Sequence, residues 1–299
     1  MSWVSRHLQT LDEGLRATGY IPRRSDTLGL AGTLCRVDDR SGSKAMVIMG
    51  PPGTGKSAFA AAAAHALGAE LVVYQCHSWS DADELFNGVD VCAAVAGDAE
   101  AVRQDGVLAK VAKMSHERQV VLLLDELDKT MERTEALLLD WLQSGRVPIQ
   151  PGVHLQTNLD NVLVIATSNE QRDLTEAGTR RFCRLVMNPL DIKTQIALIH
   201  QRSGTDIGVC KLLWKVARYI AAHEGNNSLS IQEGIRLVSA AFVLAETADD
   251  VRIFLSQWAA RTQKGRELIA GRDDTVINQS NAAWSEICRA RREGQHALV

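Results

Sequence analysis

Three apolar tracts along the chain have the length of buried parallel strands: Ala45–Met49, Val120–Leu124 and Val162–Ala166. Between these tracts, the spacing of apolar side chains predicts helices over Ser57–Leu67 and Asp128–Ser144. In the second helix four apolar side chains share one face: Met131, Leu138, Trp141 and Leu142. Strands that alternate with helices predict a three-layer α/β sheet.

After Pro189 the pattern changes to helices only. Two apolar stripes have helical spacing, Val209, Leu213, Val216 and Ile220 in the first and Ile231, Ile235, Val238 and Phe242 in the second. The capping box Ser230–Glu233 opens the second stripe, and a further helix is predicted around Val251–Trp258. We therefore predict an N-terminal helix with an α/β core over 1–190, a helical lid domain over 191–262, and a polar C-terminal extension with one helix over 263–299.

The composition is that of a folded protein with a substantial core. The chain has 299 residues, of which 45% are apolar, so it can bury a core without disulfides or metals. The net charge is −3, so the surface as a whole does not attract phosphate backbones or anionic lipid. Aromatic residues make up only 5%, which argues against stacking platforms for single strands.

The six cysteines are widely spaced and never form a CxxC pair: Cys35, Cys76, Cys92, Cys183, Cys210 and Cys288. This spacing argues against a zinc ribbon or a disulfide framework and fits a reducing compartment. The N-terminus lacks an apolar signal-peptide core, and no apolar stretch approaches the ~18 residues of a membrane span. We therefore predict a soluble cytoplasmic protein with no membrane partner.

The first apolar tract leads into the motif G-x-x-x-x-G-K-[ST], which opens a predicted helix. This context is typical of a P-loop, in which backbone N–H groups and the helix N-terminus point at phosphates. The predicted nucleotide-binding residues are Gly50, Pro51, Pro52, Gly53, Thr54, Gly55, Lys56 and Ser57. Lys56 would reach the β and γ phosphates, and Ser57 would ligate Mg²⁺.

The second apolar tract ends in two carboxylates, Asp125 and Glu126. Strand ends beside a P-loop face the nucleotide, so we predict that Asp125 holds Mg²⁺ and that Glu126 polarises the attacking water. Asp128 is interpreted as a helix N-cap. The predicted fold class is thus α/β, a P-loop NTPase with a three-layer parallel-sheet core and a small C-terminal all-helical lid domain. The chain lacks a following N-K-x-D motif, which favours ATP over GTP.

The third apolar tract leads to Asn169, which could hydrogen-bond the water or the γ-phosphate. An Asn at such a point is also typical of a turn. Arg180 and Arg181 follow, and arginines near the end of a helix are commonly solvated or complement the helix dipole. The residues alone leave both interpretations open.

Four segments, GPPGTGKS, VVLLLDELDK, VIATSNE and TRRFCRLVMNP, occur in this order and resemble the AAA+ ATPases. Two further segments are similar to the MoxR-type branch, within the helix-2-insert group. They are LVVYQCHSWSDADELFNGVDV, followed by QDGVLAKVAKM, and LLLDWLQSGRVPIQPGVHL. The likeness covers roughly Gly19–Ala260, and the four core motifs are far more specific than the lid.

The resemblance implies an ATPase that uses Mg²⁺ and assembles into a ring with itself, usually a hexamer. ATP would lie between the core of one subunit and the core edge of the next. By position, Asn169 corresponds to the sensor-one residue and Arg181 to the arginine finger that enters the neighbouring site, with Arg180 as the alternative. A finger supplied in trans is worth ~10³ to 10⁵ in rate.

Members of the MoxR-type branch carry a hairpin insertion on the pore side of the ring. The resemblance places this insertion at Val89–Asp105, with a turn at Gly97–Asp98, and a second hairpin at Val147–Leu155. Both hairpins could contact a partner, or they could be passive surface loops. The family also often has an arginine at the start of the third lid helix, where this chain has Gln232. Either Arg236 one turn further on or another lid arginine takes this role, or the domain movement is triggered less directly.

The leading functional hypothesis is a chaperone-like ATPase that remodels a protein partner, which in this branch is often a protein with a von Willebrand factor A domain. The resemblance leaves cofactor insertion, carboxylase activation and gas-vesicle assembly open. A nucleic-acid motor is the alternative, although the net charge argues against it and Arg289–Arg292 is the one obvious basic run. A small-molecule kinase and an ATP-binding switch or scaffold rank lower, because Glu126 favours water as the acceptor.

Overall fold

The computed structural model describes residues 3–35, 44–89, 103–150, 152–225, 229–271 and 273–296. The chain divides into two compact units. The first comprises Met1–Gly50 and Gly55–Met187, and the second comprises Pro51–Thr54 and Asn188–Val299. The first unit thus ends at Met187, and the core boundary at 190 stays a prediction.

The strands of the described residues all lie in the first unit. They are β1 Lys44–Met49, β2 Glu70–Gln75, β3 Asn87–Val89, β4 Arg103–Asp105, β5 Val120–Asp125, β6 Arg146–Gln150, β7 Val153–Gln156, β8 Val162–Ser168 and β9 Cys183–Val186. Five of them form one parallel sheet in the order β2-β5-β8-β1-β9. The three predicted strands are the three central ones, and the α/β fold class is confirmed.

The two edge strands of this sheet, β2 and β9, were not among the apolar tracts because they are only partly covered. Val73 in β2 and Val186 in β9 are exposed, whereas all seven residues of β8 are buried. An edge strand that faces solvent on one side needs no continuous apolar run. Its sequence signal is correspondingly weaker.

Helices cover both faces of the sheet. Those of the first unit are α1 Trp3–Ala17, α2 Arg24–Leu34, α3 Lys56–Ala66, α4 Ala82–Leu85, α5 Val107–Met114, α6 Glu132–Ser144 and α7 Glu176–Arg181. Alternate strand residues point to opposite faces. Met46 and Ile48 pack in one apolar cluster with Phe59 of α3, while Val47 packs in another with Trp141 of α6. This is the predicted three-layer arrangement.

The chain between β5 and α6 differs from the prediction of one helix over Asp128–Ser144. A 3₁₀ turn occupies Leu127–Lys129, and α6 begins at Glu132. Met131 has extended backbone and is 62% exposed, so it does not belong to the apolar face. The reason is that Thr130 ends the 3₁₀ turn in an extended conformation, which interrupts helical hydrogen bonding before α6.

Two antiparallel strand pairs stand apart from the main sheet. Strands β6 and β7 pair Val147 with Leu155, which confirms the predicted hairpin at that position. Strands β3 and β4 pair Val89 with Arg103 at the ends of the predicted Val89–Asp105 insertion. Residues 90–102 of that insertion, with the predicted Gly97–Asp98 turn, lie outside the described residues.

The second unit is helical. Its described helices are α8 Ile192–Ser203, α9 Ile207–His223, α10 Ile231–Leu244, α11 Ala248–Trp258, α12 Gln263–Ala270 and α13 Asp274–His296. No helix in the described part of the chain is long and apolar enough to cross a lipid bilayer.

The prediction of a polar C-terminal extension with one helix was wrong. Residues after 262 form two helices, and their apolar side chains share one core with α9, α10 and α11. Val276, Ala283 and Ile287 are completely buried in this core. These apolar residues are few but recur at helical spacing, so a low average hydrophobicity conceals a buried stripe.

The predicted capping box at the start of α10 is present and is tied to a distant arginine. The Ser230 amide donates to Glu233 Oε2 at 2.8 Å, the Glu233 amide donates to Ser230 Oγ at 3.2 Å, and the Arg261 guanidinium donates to both Glu233 oxygens at 2.7 Å. Burial opposes ionisation of Glu233, but these hydrogen bonds outweigh it and lower the pKa of the carboxyl.

Glu233→Gln is therefore expected to lower the free energy of unfolding by about 1 kcal/mol at pH 7. A group with a lowered pKa in the folded state stabilises above its ordinary pKa, and that contribution is lost as pH falls through the lowered value. The difference between the variant and the wild type should accordingly shrink below the ordinary value of 4.5. Urea denaturation followed by circular dichroism at pH 7 and pH 4 measures it. Exposed Glu246, changed to Gln, is the matched control.

Candidate nucleotide site

The loop between β1 and α3 has a backbone that requires glycine at its first position. Gly50 has φ +147°, and a Cβ there would lie 2.2 Å from the carbonyl oxygen of Met187. The loop ends at Lys56, which begins α3 and is 7% exposed. Lys56 Nζ donates to the Gly50 carbonyl at 2.7 Å and to Asn169 Oδ1 at 2.8 Å. Burial lowers the pKa of Lys56, and the charges of Asp128 and Asp125 partly offset this effect.

Two oxygen groups that suit a magnesium ion meet beside Lys56. Ser57 Oγ donates to Asp125 Oδ1 at 2.9 Å, and Thr167 Oγ1 donates to the same oxygen at 2.6 Å. Hydroxyl and carboxylate oxygens are the ligands that Mg²⁺ prefers. Ser57 and Asp125 would therefore hold the ion, which when bound would neutralise charge on the phosphate oxygens.

Glu126 has a strained backbone and a carboxylate held from three sides. Its φ of 59° lies in the left-handed region, which costs a non-glycine residue about 1–3 kcal/mol. Asn169 Nδ2 donates to Oε1 at 3.0 Å, while Gln75 Nε2 and Lys129 Nζ donate to Oε2 at 2.8 and 2.6 Å. The hydrogen bond that Lys129 donates to Glu126 raises the pKa of Lys129. The carboxylate is thus oriented by side chains of β2, the 3₁₀ turn and the loop after β8.

Thr167 links the two acidic residues. Its hydroxyl donates to Asp125 and accepts the Glu126 amide at 2.8 Å. The residue is 1% exposed in an otherwise apolar strand. A buried hydroxyl in this position fixes the backbone turn between Asp125, which ends β5, and Glu126.

Asp128 is not a helix N-cap, contrary to the sequence interpretation. It is buried in the 3₁₀ turn, and its Oδ2 accepts the backbone amides of Asn169 at 3.1 Å and Gln171 at 3.0 Å. A carboxylate that accepts two amides from one loop holds that loop in place. Asp128 therefore positions Asn169 against Glu126 and Lys56.

The structure brings Lys56, Ser57, Asp125, Glu126 and Asn169 together at the carboxyl ends of the central strands, as the sequence predicted. It places Arg180 and Arg181 elsewhere, on the exposed face of α7. Arg180 pairs with Glu176, and Arg181 Nη2 donates to Gln143 Oε1 at 2.8 Å. Within the described contacts neither guanidinium bonds to Glu126. Their assignment to a neighbouring subunit's site stays a prediction.

The second unit contains a cavity of about 490 Å³ lined by its segment Pro51–Thr54. Trp214 forms part of an apolar wall, and Gln195 and Arg218 supply polar groups. Gln195 Oε1 accepts from Trp214 Nε1 at 2.9 Å and from Arg218 Nη1 at 3.3 Å, so the polar groups are fixed. An apolar pocket with a few oriented polar groups is typical of a small-molecule site.

Arg236, the lid arginine named in the sequence prediction beside the alternative of another lid arginine, does not line this cavity. Its guanidinium lies 5.6 Å from the ring centroid of Trp258, in a cation–π contact. Arg218 is the arginine among the described residues that line the cavity. The role given to Arg236 stays a prediction, and Arg218 is a candidate for the other lid arginine that the prediction left open.

Sequence reasoning also missed four residues. Gln75, Thr167 and Lys129 hold the site, and the buried Glu135 bonds to the segment before α7. Three of them carried a local signal. Thr167 is a hydroxyl within an apolar strand, Gln75 ends a strand, and Glu135 is an acid on the face of α6 that carries Leu138 and Leu142. Thr167 and Glu135 are thus polar residues at positions where burial is expected.

These groups define a nucleotide-binding P-loop domain. Residues 45–182 match the family model of the AAA domain of the dynein-related subfamily. AAA domains bind ATP, typically with Mg²⁺. No protein of curated function matches the chain. Among solved structures, the chain is similar to a mutant of RuvB from Thermotoga maritima, with 16% identity, a TM-score of 0.49, and 84% of this chain and 70% of that chain covered.

Thr167→Val should preserve the fold and reduce ATP turnover by about 10- to 100-fold, as losses of groups that orient metal ligands commonly do. Valine keeps the shape but removes the hydroxyl that joins Asp125 to Glu126. Steady-state phosphate release at saturating Mg²⁺ and ATP measures the effect. Thr33→Val, which removes a hydroxyl bonded only to the Gly29 carbonyl in α2, is the matched control. Equal rates for both variants would contradict the role of Thr167.

Proposed function

We propose that this protein is an ATP-hydrolysing AAA+ ATPase that assembles into a ring, most simply a hexamer, and remodels a protein partner. The observation that carries the ATPase part is one hydrogen-bonded cluster at the strand ends. In it the amide of Asn169 joins Lys56 to Glu126, and Asp125 meets Ser57. These are a phosphate-binding cation, a base and a metal-binding pair on one edge of one sheet.

In the proposed reaction a water oxygen attacks the γ-phosphorus of ATP. The bond from that phosphorus to the β–γ bridging oxygen breaks, and ADP leaves. Glu126 accepts the proton of the water, Asn169 orients the water, and the Lys56 ammonium stabilises charge on the phosphate oxygens. Arg181 of a neighbouring subunit, or Arg180 as the alternative, supplies the remaining cation.

Ring assembly is proposed because both candidate finger arginines are exposed on α7 and engaged away from Glu126 of their own chain. A site that needs a neighbour's arginine makes hydrolysis depend on assembly.

Phosphate release per subunit, measured over a range of protein concentrations beside sedimentation velocity, tests this proposal. We expect the rate to rise as the oligomer forms, and to rise further with a purified partner carrying a von Willebrand factor A domain. No phosphate release from the assembled protein would sink the ATPase proposal. Stimulation by duplex DNA that falls steeply with salt would instead support the nucleic-acid motor.

A further inference from the structure

Helix α6 contains a completely buried carboxylate that the ATP cluster does not use. Glu135 is 1% exposed. Its Oε2 accepts Arg172 Nη2 at 2.7 Å, and its Oε1 accepts both the amide of Thr175 at 2.9 Å and the hydroxyl of Thr175 at 2.6 Å. A buried charge is tolerated only when it is paired and hydrogen-bonded, and Glu135 meets both conditions.

Both partner residues, Arg172 and Thr175, lie in the segment that leads into α7, the helix that carries Arg180 and Arg181. Thr175 is the N-cap of α7, and its hydroxyl oxygen accepts the Gly178 amide at 3.1 Å. A Cβ on Gly178 would lie 2.5 Å from Glu135 Oε1. The first turn of α7 therefore packs directly on the carboxylate, with no room for a larger residue.

The other end of α7 is also held by α6. Arg181 Nη2 donates to Gln143 Oε1. Gln143 lies eight residues after Glu135, which is about 12 Å further along α6. Because the Arg181 guanidinium must leave this contact to reach a neighbouring site, the contacts of Glu135 are the ones that hold α7 in place in that state. The six-residue α7 is too short to hold its own orientation.

We propose that Glu135 is a positioning residue for the arginine finger, which it holds in place by anchoring the N-terminus of α7. This inference rests on the proposed function, in which α7 presents Arg181 to the site of the neighbouring subunit. The side chain of Glu135 would thus serve the active site of the next subunit rather than that of its own. Its loss would let α7 shift, and a misplacement of ~1 Å can reduce a rate by about 10²-fold.

The experiment compares Glu135→Gln with Glu132→Gln, an exposed glutamate on the same helix. Glu135→Gln keeps the side-chain shape but removes the charge that pairs with Arg172. We expect kcat to fall by about 10- to 100-fold while the KM for ATP changes by no more than about twofold, because its own nucleotide site is intact. Glu132→Gln should match the wild type.

Subunit mixing then assigns the defect to one side of the interface. Glu135→Gln mixed with Glu126→Gln should recover activity, because about one quarter of randomly formed interfaces pair an intact Glu126 with an intact α7. Glu135→Gln mixed with Arg181→Ala should recover none, since both lack a working finger. If Glu135 had only a general structural role, Glu135→Gln would not show the same pattern of recovery on mixing as Arg181→Ala.

Thr175→Val removes the hydroxyl from the other side of the contact and should behave in the same way as Glu135→Gln. It replaces Glu135→Gln in these experiments if that variant does not fold.

The reference mixture of Arg181→Ala with Glu126→Gln distinguishes a failure of the inference about Glu135 from a failure of the proposed shared site. Suppose that the reference mixture recovers activity, and that Glu135→Gln recovers activity with Arg181→Ala but not with Glu126→Gln. Glu135 would then serve the site of its own subunit, which overturns the inference and leaves the proposed function intact. A wild-type kcat for both Glu135→Gln and Thr175→Val also overturns it alone. If mixed rings form and the reference mixture recovers nothing, the shared site fails and the inference fails with it.

Discussion

Lys56→Ala is expected to abolish tight ATP binding. The Lys56 ammonium is buried between the Gly50 carbonyl and the Asn169 amide, so no solvent ion replaces it readily when it is removed. Within the loop it is the side-chain cation that would meet the β and γ phosphates. Fluorescence titration with a labelled ATP analogue in the presence of Mg²⁺ measures the loss.

Glu126→Gln should behave differently. Glutamine keeps the shape of the side chain and leaves Asp125 and Ser57 in place for the metal, but it cannot accept the proton of the attacking water. We expect ATP to be bound at nearly wild-type affinity and turnover to fall by about 10² to 10⁴, the range for loss of a general base. Single-turnover phosphate release separates this defect from slow product release.

Lys44→Ala is the matched control for the lysine variant. Lys44 begins β1, at the opposite end from the loop, and donates to the Asp160 carbonyl at 2.7 Å. Its removal should leave ATP affinity unchanged. An equal loss of affinity in Lys56→Ala and Glu126→Gln would contradict the separate roles of cation and base.

Arg181→Ala is expected to bind ATP nearly normally and to lose most of its hydrolysis. The nucleotide pocket of the variant is intact, because Arg181 bonds to Gln143 and not to the Lys56–Glu126 cluster. Its loss leaves the developing charge on the γ-phosphoryl group of the neighbouring site unsupported, which for a finger costs about 10³ to 10⁵ in rate. Arg180→Ala, which breaks an exposed pair with Glu176, should have a much smaller effect.

Mixing Arg181→Ala with Glu126→Gln tests whether the two residues act across an interface. Some mixed interfaces carry a wild-type Glu126 and a wild-type Arg181, so activity should return in part and grow with protein concentration. Arg118→Ala is the control. Arg118 is exposed just before β5, at the amino ends of the strands and away from the site, where it pairs with Glu70. Two results together would contradict the role of Arg181 as a finger: mixed rings that form but stay inactive, and a wild-type monomer with full activity. Arg181 would then have only a structural role.

The roles of the P-loop, Asp125 and Glu126 could be predicted because each depends on neighbours in sequence. A glycine-rich loop between an apolar strand and a helix directs its own backbone amides, and acids that follow a buried strand must emerge at its end. The same local logic misassigned Asp128, which resembles a helix cap in sequence. Its actual partners are the amides of Asn169 and Gln171, more than forty residues away.

By itself the sequence determined the elements and the chemistry of the loop, since hydrophobic periodicity, caps and the P-loop motif are all short-range. The order of the strands was decided by the tertiary structure. Only that order places Gln75 and Thr167 beside Glu126, because parallel strands adjacent in space are distant in the chain. The burial of Glu135 under α7 and of Val276 in the second unit was decided in the same way. An amphipathic pattern shows that a helix has a face to bury, but the partner of that face exists only once the chain has packed.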